Sequence, residues 1–173
     1  MVYSSHMKKI IFAVIGIVAL ATAGFVLLRT KTGNETIGPV NVAVNGGTIS
    51  IGSRADFSNL GLTSFPSQVL GRTGVVDLDI SNNRIGAIPS QIGKLTKLQT
   101  LDASDNTLTG IPAELGQLID LRTLDLSNNQ LTGLPNELGN LKNLKTLDLR
   151  GNNPSETDLA IIKAKLPNLD IIR

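Results

Sequence analysis

A spacing of 23 residues constrains this chain more than any other feature. Val75, Leu98, Leu121 and Leu144 open equivalent segments, which read VVDLDISNNRI, LQTLDASDNTL, LRTLDLSNNQL and LKTLDLRGNNP. Pro66, Pro89, Pro112 and Pro135 keep the same spacing, as do Asn83, Asn106, Asn129 and Asn152. A period of this length means that one small supersecondary unit recurs, and that each unit buries its apolar side only by stacking on its neighbours. Within a unit, L-x-L sets two apolar side chains on one face of a short strand. Leu121, Leu124, Leu126, Leu131 and Leu134 make one such inward set. The segment after each proline, such as Ala113 to Leu118, is short and contains Gly, which allows one to two turns of helix or 3-10 helix on the outer side.

The periodic asparagines stand where the chain must turn sharply after the strand. Their amides can satisfy backbone groups that the turn leaves without partners, so they read as a structural ladder and not as a catalytic set. Aromatic residues make up only 3% of the chain and Trp is absent, so the core has to be aliphatic. An aliphatic core suits a thin repeating layer, which has no central gap for a large ring to fill.

The pattern L-x-x-L-x-L-x-x-N-x-L, matched in four registers, resembles the leucine-rich-repeat family from about Ala55 to Arg173. The remainder, N-x-L-x-x-L-P-x-x-L-G-x-L-x-x-L, is similar to the typical 23-residue subclass, common in bacterial and intracellular signalling repeats. The resemblance implies an α/β solenoid, with a curved parallel sheet inside and short helical or 3-10 turns outside. It also implies a role in binding rather than in catalysis.

Departures from the pattern mark the ends. Residues 40–66 read as an N-terminal cap, 67–153 as the repeats and 154–173 as a C-terminal cap. Val40, Val42 and Val44 alternate with other residues, Asn45-Gly46-Gly47 follows, and Ile49 and Ile51 alternate again, which is a hairpin pattern expected to cover the open end of the stack. Leu60 stands in the asparagine position, Ala55 in a leucine position and Arg72 where Leu95 and Leu118 recur. Pro154 replaces the usual leucine at the other end. Ser155 to Asp158 then reads as a helix N-cap with an acid at the third position, leading into an apolar face of Leu159, Ile162 and Leu166.

Ahead of the caps lie a tail (1–9), an uncharged run (10–28) and a polar linker (29–39). Nineteen residues from Ile10 to Leu28 span about 28 Å as a helix, close to the hydrocarbon thickness of a bilayer. One reading is a signal peptide cleaved after Ala23; the other is a retained transmembrane signal anchor. The apolar residues continue past Ala23 through Leu28, and this favours the anchor. An N-terminal anchor leads to the expectation that the downstream chain lies outside the cytoplasm, whereas cleavage would make it secreted. Asn34-Glu35-Thr36 in the linker matches the glycosylation sequon, a weakly specific pattern.

Enzyme chemistry finds little material here. There is no Cys, and the single His6 precedes the apolar run, so Ser/His/Asp and Cys/His sets are impossible in the repeats. No phosphate-binding or dinucleotide fingerprint occurs, and no cofactor or metal is expected. A net charge of +2 without a Lys/Arg run gives no case for nucleic acid. The expected site is the concave face, with Asp79, Thr100, Asp102, Arg122, Thr123, Asp125, Lys145, Asp148 and Arg150 offered to a protein partner. Asp79, Asp102, Asp125 and Asp148 would stack as an acidic column at strand spacing, about 4.8 Å. That column is either a place for a basic peptide or cation, or a solvated consensus feature helped by Ser81, Ser104 and Ser127; exposed charge favours the second. The absence of aromatic anchors predicts a polar interface of modest affinity. A cell-surface structural or adhesion role is the alternative, and scarce aromatics count against glycan binding.

Overall fold

A computed structural model describes residues 42–44, 47–49 and 54–173. The expected anchor at 10–28, the tail, the linker and its sequon lie outside the described residues. Among those described, no helix is long and apolar enough to cross a membrane. β1 (Val42–Val44) and β2 (Gly47–Ile49) form an antiparallel pair. Val44 pairs with Gly47, which leaves residues 45 and 46 to the connection, as the Asn-Gly signal predicts.

Six three-residue strands form one parallel sheet in chain order: β3 (Arg54–Asp56), β4 (Asp77–Asp79), β5 (Thr100–Asp102), β6 (Thr123–Asp125), β7 (Thr146–Asp148) and β8 (Asp170–Ile172). Register repeats the sequence period, with Leu78 beside Leu101, Leu124 and Leu147 in turn. Leu78, Leu101 and Leu124 are each flanked by partly exposed neighbours, and Leu147 by half-buried Thr146 and buried Asp148, so the sheet has one dry face and one wet face. Parallel strands need a crossover, and a 3-10 turn after each proline supplies it: Ser67–Gly71, Ser90–Lys94, Ala113–Gln117 and Asn136–Asn140. The last crossover is an α-helix, α1 (Glu156–Lys165).

Between strands and turns runs a continuous core, aliphatic throughout except for Phe65 at its N-terminal end, with Phe57 packed against it. Leu98, Leu101, Leu115, Leu118, Leu121, Leu124, Leu138 and Leu141 have no exposure, each burial being worth about 2 kcal/mol. Leu121, Leu124, Leu126, Leu131 and Leu134 are all buried, as the pattern requires. The turns approach closely because glycine recurs in them. A Cβ on Gly116 would lie 2.8 Å from the carbonyl carbon of Glu137 in the next turn, and closer still to its oxygen.

The asparagine ladder performs the predicted work in both directions. Asn106 Nδ2 donates to the carbonyls of Ala103 and Ser104 in its own turn and of Ile80 in the preceding repeat. Its Oδ1 accepts from Ile85 N–H, again one repeat back. Asn83, Asn129 and Asn152 repeat the scheme, and Asn83 also serves the degenerate first turn by accepting from Leu60 and Leu62.

At the C-terminal end α1 forms with Leu159, Ile162 and Leu166 buried, as expected. The expected side-chain cap is not made. Asp158 instead turns to the previous repeat and accepts from Leu134 N–H at 3.0 Å, tying the cap to the stack.

Candidate interaction face

The wet face of the sheet carries three parallel columns of side chains. Nearest the start of each strand stand Gln99, Arg122 and Lys145, the two basic residues exposed. Next come Arg54, Asp77, Thr100, Thr123, Thr146 and Asp170, aligned by register. Thr100 and Thr123 are half-buried between neighbouring strands. The third column is acidic, and register extends it to five members: Asp56, Asp79, Asp102, Asp125 and Asp148. Asp56 was legible from the period, because it stands 23 residues before Asp79, but the degenerate sequence around it concealed the match.

These carboxylates are anchored from within. Asp79 Oδ1 accepts from both the N–H and the hydroxyl of Ser81, and Asp102 does the same with Ser104. Asp56 repeats the arrangement with Ser58, and Asp125 accepts from Ser127 N–H. One oxygen of each therefore closes the turn at the strand's end, a short-range side-chain bond of the kind Asp favours. Burial pushes the Asp102 carboxyl above its ordinary value; the bonds from Ser104 oppose the rise, and the charges of Asp79 and Asp125 add to it.

The column ends differently. Asp148 is only 5% exposed, and Arg150 occupies the serine position. Arg150 Nε and Nη2 reach both oxygens of Asp148, at 3.0 and 2.6 Å. These bonds hold the Asp148 carboxyl below its ordinary value against the opposing effect of burial. At the opposite end Arg54 lies 3.7 Å from Asp79. The acidic column is thus bracketed by two arginines.

The nine expected site residues therefore divide. Asp79, Asp102, Asp125 and Asp148 hold up the turns, and Arg150 neutralises Asp148. Thr100, Arg122, Thr123 and Lys145 share the same face, and the ladder uses their backbone groups: Arg122 O accepts from Lys145 and Thr146. Among the described residues no group of His, Asp and Glu is placed to hold a metal ion. No aromatic residue belongs to the columns.

A further column was missed in the sequence. Asn59, Asn82, Asp105 and Asn128 adopt φ between 52 and 55°, and Gly151 follows at 71°. Only residue types that tolerate the left-handed region occupy this 23-residue series, which was the available signal. Asn128 Nδ2 donates to Asp105 Oδ1, linking two of them.

Residues 73–131 match the family described as "Leucine rich repeat", and residues 119–164 match "Leucine Rich repeats (2 copies)". The chain belongs to the leucine-rich-repeat family. Solved leucine-rich-repeat structures agree with the geometry. A leucine-rich-repeat protein of Leptospira interrogans is 39% identical with a TM-score of 0.61, over 64% of this chain and 28% of its own. An internalin from Listeria monocytogenes is 26% identical with a TM-score of 0.56, over 63% and 31%. The leucine-rich-repeat ectodomain of a receptor kinase from Arabidopsis thaliana is 29% identical with a TM-score of 0.58, over 78% and 75%. The chain spans about a third or less of the length of the first two. No curated protein matches. Leucine-rich-repeat domains generally serve as protein-interaction modules.

Proposed function

We propose that this chain is a protein-binding module, tethered to a membrane through residues 10–28 and presenting the concave face of its solenoid outside the cytoplasm. The observation that carries the binding reading is the division of labour on that face. Asp79, Asp102 and Asp148 are committed to turns and ion pairs, whereas Arg122 and Lys145 are exposed and contribute only backbone to the ladder. Two cations beside a bracketed acidic column, without aromatic anchors, fit a polar protein partner held by complementary charge. The uncharged 19-residue run supports the tether, and the receptor-kinase ectodomain is a relative of the same build.

The test keeps the aspartates, because replacing them would disturb the turns. Full-length chain is immobilised in detergent beside an Arg122→Glu/Thr123→Lys/Lys145→Glu variant of matched circular dichroism. A protein retained by the parent and lost by the variant is the expected result. Equal retention by both overturns the concave reading. Alkaline carbonate washing tests the tether separately: the chain should remain with the membrane pellet, and release to the supernatant removes that part of the proposal.

A further inference from the structure

Two cations of the concave face have no acid of their own. Arg54 lies against Asp79 and Arg150 against Asp148, so those arginines are taken up within the chain. Arg122 and Lys145 are exposed, and among the described residues neither side chain forms an ion pair or a hydrogen bond. They are also neighbours. Thr123 pairs with Thr146 one residue further along, and Lys145 N–H donates to Arg122 O at 2.8 Å. Adjacent strands lie about 4.8 Å apart, so two positive side chains leave the sheet side by side. Like charges in that position repel, and an anion between them removes the repulsion.

Around the pair the face is acidic. Asp125 and Asp148 stand three residues on from Arg122 and Lys145, roughly 10 Å along the strands. Asp102 belongs to the strand before and Asp170 to the strand after, each in register. Arg150 neutralises Asp148, whereas Asp102, Asp125 and Asp170 form no ion pair among the described residues. A carboxylate that arrives alone is therefore drawn in by two cations. A run of anions is drawn by the same pair and repelled by three acids. The face sorts ligands by density of negative charge as well as by its sign.

We propose that Arg122 and Lys145 together seat one isolated carboxylate of a protein partner, an Asp or Glu whose neighbours in its own chain are uncharged or basic. Thr123 and Thr146, half-buried in the adjoining column, border the seat with hydroxyls and add no charge. An acidic tract, a nucleic acid and an anionic bilayer are the wrong ligands, because each brings further negative charge against Asp102, Asp125 and Asp170. The inference rests on reading the concave face as the interaction surface, and adds the kind of side chain that face takes.

The probes are Gly/Ser peptides grafted on beads, carrying isolated Glu or isolated Lys residues, beside polyglutamate at equal carboxylate content. Full-length chain in detergent should be retained on isolated Glu about tenfold better than on isolated Lys, and better than on polyglutamate. Arg122→Glu/Lys145→Glu of matched circular dichroism should lose that retention. Arg84→Glu/Lys94→Glu makes the same change of net charge at exposed positions outside the three columns, and should keep it. Equal loss in both variants, or undiminished retention in the first, overturns the seat. Polyglutamate or anionic vesicles held as well as isolated Glu, or no retention on isolated Glu, overturns the isolated carboxylate. Either failure, beside a protein that the concave variant described above no longer captures, leaves the concave reading standing.

Discussion

At the scale of single residues, this fold is held by amides and carboxylates that face inward to the backbone. Replacing Asn106 by Ala removes four hydrogen bonds and leaves buried backbone groups in two repeats without partners. The expected loss is about 3 kcal/mol in urea unfolding. Asp102→Asn should act the other way. Its carboxyl is raised in the fold, so the ionised form opposes folding above that value, and the opposition disappears as pH falls through it. The amide keeps an acceptor for Ser104 without the charge; the variant should melt higher at neutral pH and converge with the parent in acid. Asp148 has the opposite sign, its lowered value contributing stability that is lost as pH falls. Arg150→Ala should therefore destabilise at neutral pH, with the difference shrinking in acid, as thermal melts across pH would show. The ladder asparagines and the acidic column were legible in the sequence because each recurs at 23. Their bonding was not, since whether an exposed aspartate serves a partner or its own turn depends on backbone angles that spacing does not reveal.

At the scale of elements, the strands and turns follow from local spacing, and the departures follow from what each layer must accommodate. The outer turns need glycine where they touch. Gly116→Ala should cost about 2 kcal/mol, because the new methyl meets backbone that cannot move aside. Gly110→Ala, where a Cβ would meet nothing within 4 Å, is the control and should be neutral in the same denaturation series. The hairpin, the repeat strands and α1 were all visible beforehand as alternation, period and helical spacing. β8 was harder to see as a strand. It pairs Ile171 with Leu147, a step of 24 where every earlier step is 23, because α1 replaces the short outer turn. A counted period cannot follow a crossover that changes length. The reciprocal bond expected between Asp158 and the Ser155 N–H is missing for a comparable cause: Ser155 N–H donates to Thr132 O and Asp158 accepts from Leu134, tertiary contacts that the capping pattern alone does not contain.

At the scale of the whole molecule, a stack with only neighbour contacts should tolerate loss of a whole unit far better than loss of part of one. Deleting residues 98–120, one full period, should leave cooperative unfolding and a lower midpoint. Deleting half that length should abolish the native circular dichroism, because it puts polar concave positions into the core register. The family and the sheet-inside architecture were legible from the sequence for the same reason: in a stacked array, one unit specifies the rest. The partner was not, because the face that would meet it is the face the repeat leaves unconstrained. The asparagine ladder has one more consequence. Ile85, Leu108 and Leu131 each donate their N–H to the Oδ1 of an asparagine 21 residues later in the chain. No repeat can close its own bend; each waits for its successor. A ribosome releasing this chain from its N-terminus therefore emits units that stay unfinished until the next one emerges, so that order is handed backwards while synthesis runs forwards.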